Sequence, residues 1–406
     1  MELKKWKQFC LCGMGGAFPA DAENTDTLFS PLVCLVDRDP LRSRGWFAVS
    51  SVEELFEPED CSVLLPPYPC TASETLRTFV KEHGAIVLNT AFANAFSFLN
   101  AEKKRSALRV TLVGLGDVGG TLLTALKLLG RELSEIRIFD PNEAQCRRYE
   151  AELNQVLSLD DAPLPRVTVC PQEALFDCDL FLFTASRGVP AVGAEVRDVR
   201  MAQYERNRDM LSAYAKAARN ADFRGLFCQI SDPVDQLARV VFLHSNRDEA
   251  GRFDAKGLLP EQIQGFGLGV MAARAEYYAA QMGIDFSCGR VYGPHGNELI
   301  AANHPTAYEK ALSEALTGAT VTANLRVREL GFKPYIAPAL SSAAVSILRL
   351  VRGQMHYGAV PMGGAYFGCR SRMTAQGLSV IREPLHPALY ARIQAVQHSL
   401  EVFCYD

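Results

Sequence analysis

The sequence has no long apolar run, no strong excess of one charge and no cysteine pattern typical of a zinc site. None of its apolar runs approaches the roughly 18 residues needed to span a bilayer, so we expect no membrane-spanning helix. The formal net charge of −4 gives no reason to expect nucleic acid or an anionic membrane as a partner. Cys10 and Cys12 are close together, but a second pair at metal-ligand spacing is missing, so we expect no bound metal.

Cysteine itself is not scarce, and its distribution is informative. Twelve cysteines are scattered along the 406 residues, and several, such as Cys34, Cys228 and Cys288, fall within apolar runs. Reduced core cysteines behave in this way, which predicts a cytoplasmic protein. Lysines followed by the apolar segment 9–18 imitate a secretory signal, but three glycines interrupt that segment and favour a strand and a turn.

One stretch, from Leu108 to Asp140, organises the rest of the chain. Residues 108–113 are mostly β-branched or aliphatic, which predicts a buried parallel strand. A glycine-rich turn and an apolar helix pattern follow, and a second strand at 136–139 ends on Asp140. This order of elements predicts a dinucleotide-binding unit, whereas an isolated glycine-rich turn would be weak evidence.

The glycine-rich turn has the G-x-G-x-x-G spacing, and each glycine has a physical task. Gly114 permits the tight turn, Gly116 lets a pyrophosphate approach the backbone, and Gly119 lets the helix pack close to the strand. The free N–H groups at the helix start are suited to hold phosphates. The cofactor-binding residues that this unit predicts are Gly114, Gly116, Asp117, Val118, Gly119 and Asp140.

The acid at the end of the second strand indicates which dinucleotide binds. The Asp140 carboxylate can accept hydrogen bonds from an adenosine ribose. No basic residue stands beside it, and its charge would repel the additional phosphate of NADP. The predicted cofactor is therefore NAD.

Residues 1–105 form a unit of their own, with apolar or strand-like runs at 9–16, 32–37, 62–65 and 85–89 and a helix pattern near 73–82. Asp37 ends its strand much as Asp140 does, so a degenerate, duplicated mononucleotide fold is one interpretation. However, the segment after Gly16 has no helix pattern, and the N–H groups that hold phosphates would then be missing. This favours a structural or interface role over a second nucleotide site.

Beyond Asp140, strands and helices alternate as in a doubly wound sheet, and the pattern past about residue 257 changes to helices and longer, antiparallel-like segments. The predicted fold is α/β: a doubly wound Rossmann-type parallel sheet with a mixed α+β C-terminal domain and a small N-terminal α/β domain. The predicted boundaries are 1–105, 106–256 for the nucleotide-binding domain and 257–406 for the substrate domain.

Motifs in the second and third of these domains carry a family resemblance. In chain order they are G-x-G-x-x-G, Thr184-Ala185-Ser186, Arg200 before Arg206-Asn207, Ser231-Asp232-Pro233-Val234-Asp235, Arg274 and Gly293-Pro294-His295-Gly296-Asn297. From Leu108 to the C-terminus the chain resembles the lactate/malate dehydrogenase family. Residues 1–105 lie outside the resemblance.

The resemblance implies an NAD-dependent oxidoreductase that exchanges hydride between nicotinamide and a 2-hydroxy or 2-oxo carboxylic acid, its small-molecule partner. His295 matches the acid/base histidine of the family. Imidazole suits that role because it titrates near neutrality. Arg274 matches the arginine that grips the substrate carboxylate, and Arg200 the loop arginine that stabilises charge on the reacting oxygen. The resemblance also implies a homo-oligomer. It adds Thr184, Ala185 and Arg187 to the cofactor site. To the catalytic candidates His295, Arg200 and Arg274 we add Asp232, a carboxylate at a position where the family has an asparagine.

Three positions depart from the family pattern. The family has an aspartate as hydrogen-bond partner of the histidine where this chain has Met271, and an asparagine where this chain has Asp232. A small hydroxylic residue of the family falls near Lys333. One hypothesis joins the three: Asp232 replaces the lost partner of His295, or it pairs with Lys333. Alternatively, Asp232 and Lys333 recognise a larger or amino-bearing oxo acid.

Two functions therefore stay open at this stage. The retained trio of Arg200, Arg274 and His295 favours an enzyme, because a protein that only binds NAD has no physical need for those residues. The loss of the aspartate at Met271 instead fits a catalytically divergent, NAD-binding regulatory or scaffold protein. The segment 188–199 is longer than the family's usual loop, and its small residues fit a mobile lid over an unusual substrate.

Overall fold

The structure, a computed structural model, describes residues 2–99, 107–158, 163–187 and 203–405. Its strands are β1 Leu3–Trp6, β2 Phe9–Gly13, β3 Glu23–Asn24, β4 Leu32–Val36, β5 Trp46–Val49, β6 Ala85–Asn89, β7 Leu108–Val113, β8 Leu133–Phe139, β9 Arg166–Val169, β10 Leu180–Phe183, β11 Leu226–Gln229, β12 Ile263–Gly265, β13 Arg290–Tyr292, β14 Ile300–Ala302, β15 His356–Met362, β16 Ala365–Thr374 and β17 Gly377–Val380.

The α-helices are α1 Glu74–His83, α2 Ala95–Leu99, α3 Asp117–Leu129, α4 Glu143–Leu153, α5 Tyr204–Asn220, α6 Val234–Ser245, α7 Leu268–Met282, α8 Lys310–Glu329, α9 Ser346–Val351 and α10 Pro387–Glu401. Shorter 3-10 turns are formed by Val52–Leu55, Cys61–Leu64, Gln172–Ala174 and Pro260–Gln262, and a π-helical segment by Pro338–Val345. Within the described ranges, no helix is both long and apolar enough to cross a membrane.

The strands of the central region form a doubly wound parallel sheet. They pair in the order β9-β8-β7-β10-β11-β12, and every neighbouring pair is parallel. Counted from β7, this is the order 3-2-1-4-5-6 of dinucleotide-binding folds. The inward side chains of β7, such as Val110 and Leu112, are fully buried, as its aliphatic pattern predicts. The predicted α/β fold is confirmed.

The sixth strand of this order, β12, begins at Ile263 and so lies beyond the predicted domain boundary at 256. The three-domain division stays a prediction. Past that point β15, β16 and β17 pair antiparallel, which agrees with the change of pattern in the sequence.

The N-terminal region is an α/β layer in which β2, β4 and β6 are parallel neighbours. The apolar run 62–65 was expected to be a strand, and this is wrong. It forms part of the 3-10 turn Cys61–Leu64, because the Asp60 side chain caps the turn by accepting a hydrogen bond from the Ser62 N–H. The strand next to β6 is β5 instead, which the sequence pattern did not indicate.

The N-terminal layer and the parallel strands β7 to β12 belong to one continuous sheet. β5 pairs parallel with β17 at Phe47 and Leu378, and β15 pairs antiparallel with β12. The fully buried Glu261 carboxylate reinforces this junction by accepting hydrogen bonds from Gly45 N (2.9 and 3.1 Å) and Trp46 N (3.0 Å). Residues 2–99 are therefore attached to the rest of the protein through both sheet and side-chain contacts.

Two of the three cysteines that were expected in the core are buried. Cys34 and Cys228 are fully buried, but Cys288 is exposed. Cys288 lies in a surface turn before β13, so the apolar residues near it in sequence do not bury it. Its backbone carbonyl accepts a hydrogen bond from Arg290 Nη1. Among the described residues, no group of three or more His, Cys, Asp or Glu could hold a metal ion.

Candidate active site and cofactor site

The glycine-rich turn leaves β7 and enters α3 as its spacing predicts. Gly114 has φ +95°, and a Cβ there would lie 2.5 Å from the Ala185 nitrogen. A Cβ on Gly119 would lie 1.9 Å from the Gly114 oxygen, so only glycine lets α3 approach the turn this closely. Gly116 caps the helix, and a Cβ there would meet nothing within 4 Å. The helix start therefore faces open space, which leaves room for a bound pyrophosphate.

Asp140 follows β8 and holds the glycine-rich turn in place. Its two carboxylate oxygens accept hydrogen bonds from Leu115 N (2.8 Å) and Asn142 N (2.9 Å). Each carboxylate oxygen has a second lone pair, so the group retains the capacity to accept from ribose hydroxyls. The position beside the turn fits the predicted role in binding adenosine ribose.

Lys333 lies at the same end of the sheet, but it does not pair with Asp232. Its ammonium is 2.9 Å from the carboxylate of Asp117, the first residue of α3. This carboxylate raises the pKa of Lys333. The pair connects the segment after α8 with the helix start that would receive the pyrophosphate.

Thr184 and Ala185 follow β10 and contact the turn directly. The Thr184 hydroxyl donates to the carbonyls of Val113 (3.0 Å) and Gly114 (2.7 Å), and a Cβ on Gly114 would meet Ala185. Arg187 is exposed, and Arg200 and the long segment 188–199 lie outside the described residues. The roles of both arginines stay predictions.

Asn207 connects the cofactor side of this region to Asp232. It is fully buried on α5, where its Oδ1 accepts from Arg187 N (2.8 Å) and its Nδ2 donates to the Asp232 carbonyl (2.8 Å). Asn207 belongs to one of the motifs that carry the family resemblance, but its role was not predicted from the sequence. The only feature of the sequence that could have indicated this role is the position of Asn207 next to an arginine in a polar helix.

His295 and Asp232 meet in the structure although they are 63 positions apart in the chain. Asp232 follows β11 and precedes a cis bond to Pro233, and its Oδ1 lies 3.7 Å from His295 Nε2. The histidine side chain is 7% exposed and that of Asp232 34% exposed. A Cβ on Gly267 would lie 2.6 Å from the His295 Cβ, so this glycine permits the approach of the histidine. Sequence reasoning missed Gly267.

Asp235 holds the backbone of His295. The Asp235 Oδ2 accepts a hydrogen bond from His295 N at 2.8 Å, and the carboxyl is almost completely buried at the start of α6. Burial raises the pKa of Asp235 to about 7, against the effect of that hydrogen bond. Asp235 belongs to the motif quoted from the sequence, but its contact with His295 is visible only in the structure.

Arg274 and Met271 lie one turn apart on α7. Met271 is fully buried and packs in an apolar cluster with Leu268, Ala275 and Tyr278. Arg274 is half-buried, with Nη1 3.9 Å from the Met271 sulfur. The structure thus has an apolar side chain where the family pattern has the histidine's aspartate, and Asp232 is a carboxylate that lies near the imidazole.

The candidate residues collect at one edge of the sheet. Gly114, Asp140, Thr184 and Asp232 directly follow β7, β8, β10 or β11 or come within three residues of it. These are the carboxyl ends of adjacent parallel strands, where ligands bind in open α/β sheets. His295 joins them through Asp232 and Asp235.

Comparison with known proteins identifies dehydrogenases, although no family model matches the chain. L-lactate dehydrogenase 1 of Bacillus cereus is 28% identical over 209 residues, which are 50% of this chain and 60% of the relative. L-lactate dehydrogenase of Treponema denticola is 28% identical over 204 residues, 50% of this chain and 58% of the relative. The matches span about 60% of the length of these curated relatives.

Solved structures agree over a larger part of the chain. Malate dehydrogenase of Cryptosporidium parvum superposes with a TM-score of 0.59 at 16% identity, over 73% of this chain and 97% of that one. The minor L-lactate dehydrogenase of Enterococcus mundtii superposes with a TM-score of 0.58 at 18% identity, over 74% and 100%. The fold is shared, and the resemblance found in the sequence is confirmed. In sequence the chain is similar to L-lactate dehydrogenases, and in fold to lactate and malate dehydrogenases.

Proposed function

We propose that this relative of the lactate and malate dehydrogenases is itself an NAD-dependent oxidoreductase acting on a 2-hydroxy or 2-oxo carboxylic acid. The observation that supports it most is the approach of Asp232 to His295 at the carboxyl edge of the sheet that contains the glycine-rich turn. An acid/base group beside a cofactor cradle is what hydride exchange with a carbonyl compound requires.

The residues at the turn fit NAD. The open helix start at Gly116 would receive the pyrophosphate and the Asp140 carboxylate the adenosine ribose. When bound, the nicotinamide supplies or accepts the hydride. Thr184 and Ala185 keep the turn in shape through their contacts with Gly114.

His295 holds the proton that the substrate oxygen needs. In the direction of reduction, its Nε2 donates a proton to the carbonyl oxygen, and in the direction of oxidation it accepts that proton. The distance of 3.7 Å to Asp232 is too long for a hydrogen bond, so the carboxylate acts through its charge. A negative charge at this distance stabilises the imidazolium, which is the task of the aspartate that Met271 has replaced.

Arg274, on α7, is proposed to hold the substrate carboxylate through its guanidinium, and Arg200 to stabilise charge on the reacting oxygen. Asp235 and Gly267 position His295 rather than touch the substrate. Asp235 accepts a hydrogen bond from the His295 backbone nitrogen, and the missing side chain of Gly267 leaves room for the His295 Cβ.

The decisive assay is oxidation of NADH with a panel of 2-oxo acids, followed by the reduced-nicotinamide absorbance. We expect consumption with at least one acid, and no consumption in His295→Gln. NADH binding without consumption of any acid would favour the alternative, a catalytically divergent NAD-binding protein. The apolar surroundings of Met271 are the observation in favour of that alternative.

Asp232→Asn tests the proposed electrostatic partner. Loss of the charge should lower the pKa of His295, so the pH at which reduction slows should move down by about one unit. Unchanged turnover with an unchanged pH profile would contradict this role.

Because the Asp232 side chain is one-third exposed, the panel of 2-oxo acids should include amino-bearing oxo acids, whose ammonium group this carboxylate could bind.

A further inference from the structure

We propose that the N-terminal layer has a binding site of its own for a phosphate-free ribonucleoside, separate from the NAD cleft. A cavity of about 500 Å³ lies in this layer. Its volume falls within the range of small-molecule sites. Met14, Val36, Asp37, Leu55, Phe56 and Glu59 are among the residues that line it.

The cavity lies where an α/β sheet binds ligands. Met14 directly follows β2, and Asp37 directly follows β4, its parallel neighbour. The cavity is therefore at the carboxyl edge of these strands. Asp37 has the same place relative to β2 and β4 that Asp140 has relative to β7 and β8, and Asp140 is the residue proposed to bind ribose.

The cations around the cavity are already paired. Arg38 contacts Glu59 through Nη1 and the Leu55 carbonyl through Nη2, and Arg44 contacts the other Glu59 oxygen at 2.7 Å. Arg382 pairs with Glu57 at 2.7 Å. Each of these guanidinium groups already pairs with a carboxylate, although the buried Nη2 of Arg44 has no hydrogen-bond partner. Arg44 does not line the cavity, so the charges around the cavity favour a neutral ligand over an anionic one.

Asp37 differs from these charged groups. Its side chain is exposed, and within the described part of the chain its carboxylate has no hydrogen bond or ion pair. A carboxylate only accepts hydrogen bonds, so its natural ligand is a group with several donors. The vicinal hydroxyls of a ribose are such a group.

Part of the cavity lining is apolar. Phe56 is 51% exposed, a large fraction for an aromatic side chain, and Met14 and Leu55 also line the cavity. An exposed aromatic ring offers a face on which a flat base can stack. The ring of Phe56 and the carboxylate of Asp37 thus match the base and the sugar of a nucleoside.

The backbone explains why the ligand would lack phosphates. The N–H groups of Met14 and Gly16 both donate to the Leu35 carbonyl, at 2.9 and 3.1 Å, and Ala17 N donates to the Thr90 hydroxyl at 3.0 Å. Between Gly16 and β4 the chain forms the short strand β3 and no helix. The amides of Met14, Gly16 and Ala17 are therefore already used, and the turn provides no helix start for a phosphate.

The test is equilibrium dialysis of the full-length protein against adenosine, AMP and 2′,3′-dideoxyadenosine. Asp37→Asn and Phe56→Ser are the variants of this site, and Asp140→Asn is the matched variant of the NAD site. Both Asp37 and Phe56 are exposed, so neither substitution should disturb folding, which thermal unfolding verifies.

We expect adenosine to bind wild type and Asp140→Asn with affinities within twofold of each other. Asp37→Asn, Phe56→Ser and removal of the sugar hydroxyls should each weaken binding by about tenfold, and AMP should bind about tenfold more weakly than adenosine. Absence of adenosine binding to the wild type would overturn the proposal. So would binding that Asp140→Asn abolishes, or that Asp37→Asn leaves within twofold. NADH titration of the same variants reports on the NAD site separately.

Discussion

The N-terminal layer and the nucleotide-binding region begin alike and end differently. Each has a parallel strand, a glycine-rich turn, a neighbouring strand and an aspartate at its end, Asp37 in one and Asp140 in the other. Only the second turn leads directly into a helix, whose first residue is Asp117. In the first, the amides of Met14 and Gly16 donate to the Leu35 carbonyl. The helix, rather than the glycines alone, makes a phosphate site.

The sharpest test of this comparison exchanges one glycine in each turn for alanine. In Gly119→Ala the new Cβ would lie 1.9 Å from the Gly114 oxygen, so α3 must move away from the turn. We expect NADH affinity to fall by about 100-fold or more, measured by nicotinamide fluorescence.

Gly16→Ala is the matched control, because its Cβ would lie 2.7 Å from the backbone of Leu35 and Val36. It should lower the melting temperature but leave NADH affinity within about threefold. Equal losses of NADH affinity in both variants would mean that the two turns are not functionally different.

The second prediction concerns the junction between the two regions. Glu261→Ala removes the acceptor of the Gly45 and Trp46 N–H groups and leaves two buried donors without it. The free energy of unfolding should fall by about 3 kcal/mol, measured by denaturant titration. The exposed Glu249→Ala serves as control and should change stability little. A loss no larger than that of the control would show that the sheet alone joins the regions.

The third prediction is a dependence of stability on pH. Burial raises the pKa of Asp235 to about 7 and that of Glu261 to about 8 in the folded protein. A raised folded-state pKa means that the stabilisation is complete below the unfolded-state pKa and is lost as pH rises through the folded-state value. Stability should therefore decline between about pH 4 and pH 8.

Asp235→Asn keeps an acceptor for His295 N but cannot ionise. Its free energy of unfolding should decline less steeply over this pH range than that of the wild type, by a difference of about 4 kcal/mol. Parallel stability curves for the two proteins would show that Asp235 does not titrate in this window.

The smallest expected effect concerns the NAD site alone. Lys333→Ala removes the cation that balances Asp117, and the carboxylate would then repel the pyrophosphate. NADH affinity should fall by about threefold at low salt, and the difference should vanish at high salt. In the Asp117→Asn background the same substitution should have no effect. Lys310→Ala, on the exposed start of α8, is the matched control; an equal loss there would remove any special role for Lys333.

Much of the nucleotide-binding region was predictable because its signals are local. The glycine spacing, the aliphatic run of β7 and the acid at 140 lie within 33 consecutive residues, and each reports its own conformation. The strand β5 and the turn Cys61–Leu64 were missed, because short apolar runs have the same pattern in strands and in capped turns.

The sequence by itself determined the doubly wound fold, the place of the glycine-rich turn and the similarity to lactate and malate dehydrogenases. Only the tertiary structure decided that Asp232 approaches His295 while Lys333 pairs with Asp117, and that Asp235 and Gly267 set the position of the imidazole. Local pattern is written in neighbouring residues, whereas a contact between distant residues depends on how strands and helices pack in space.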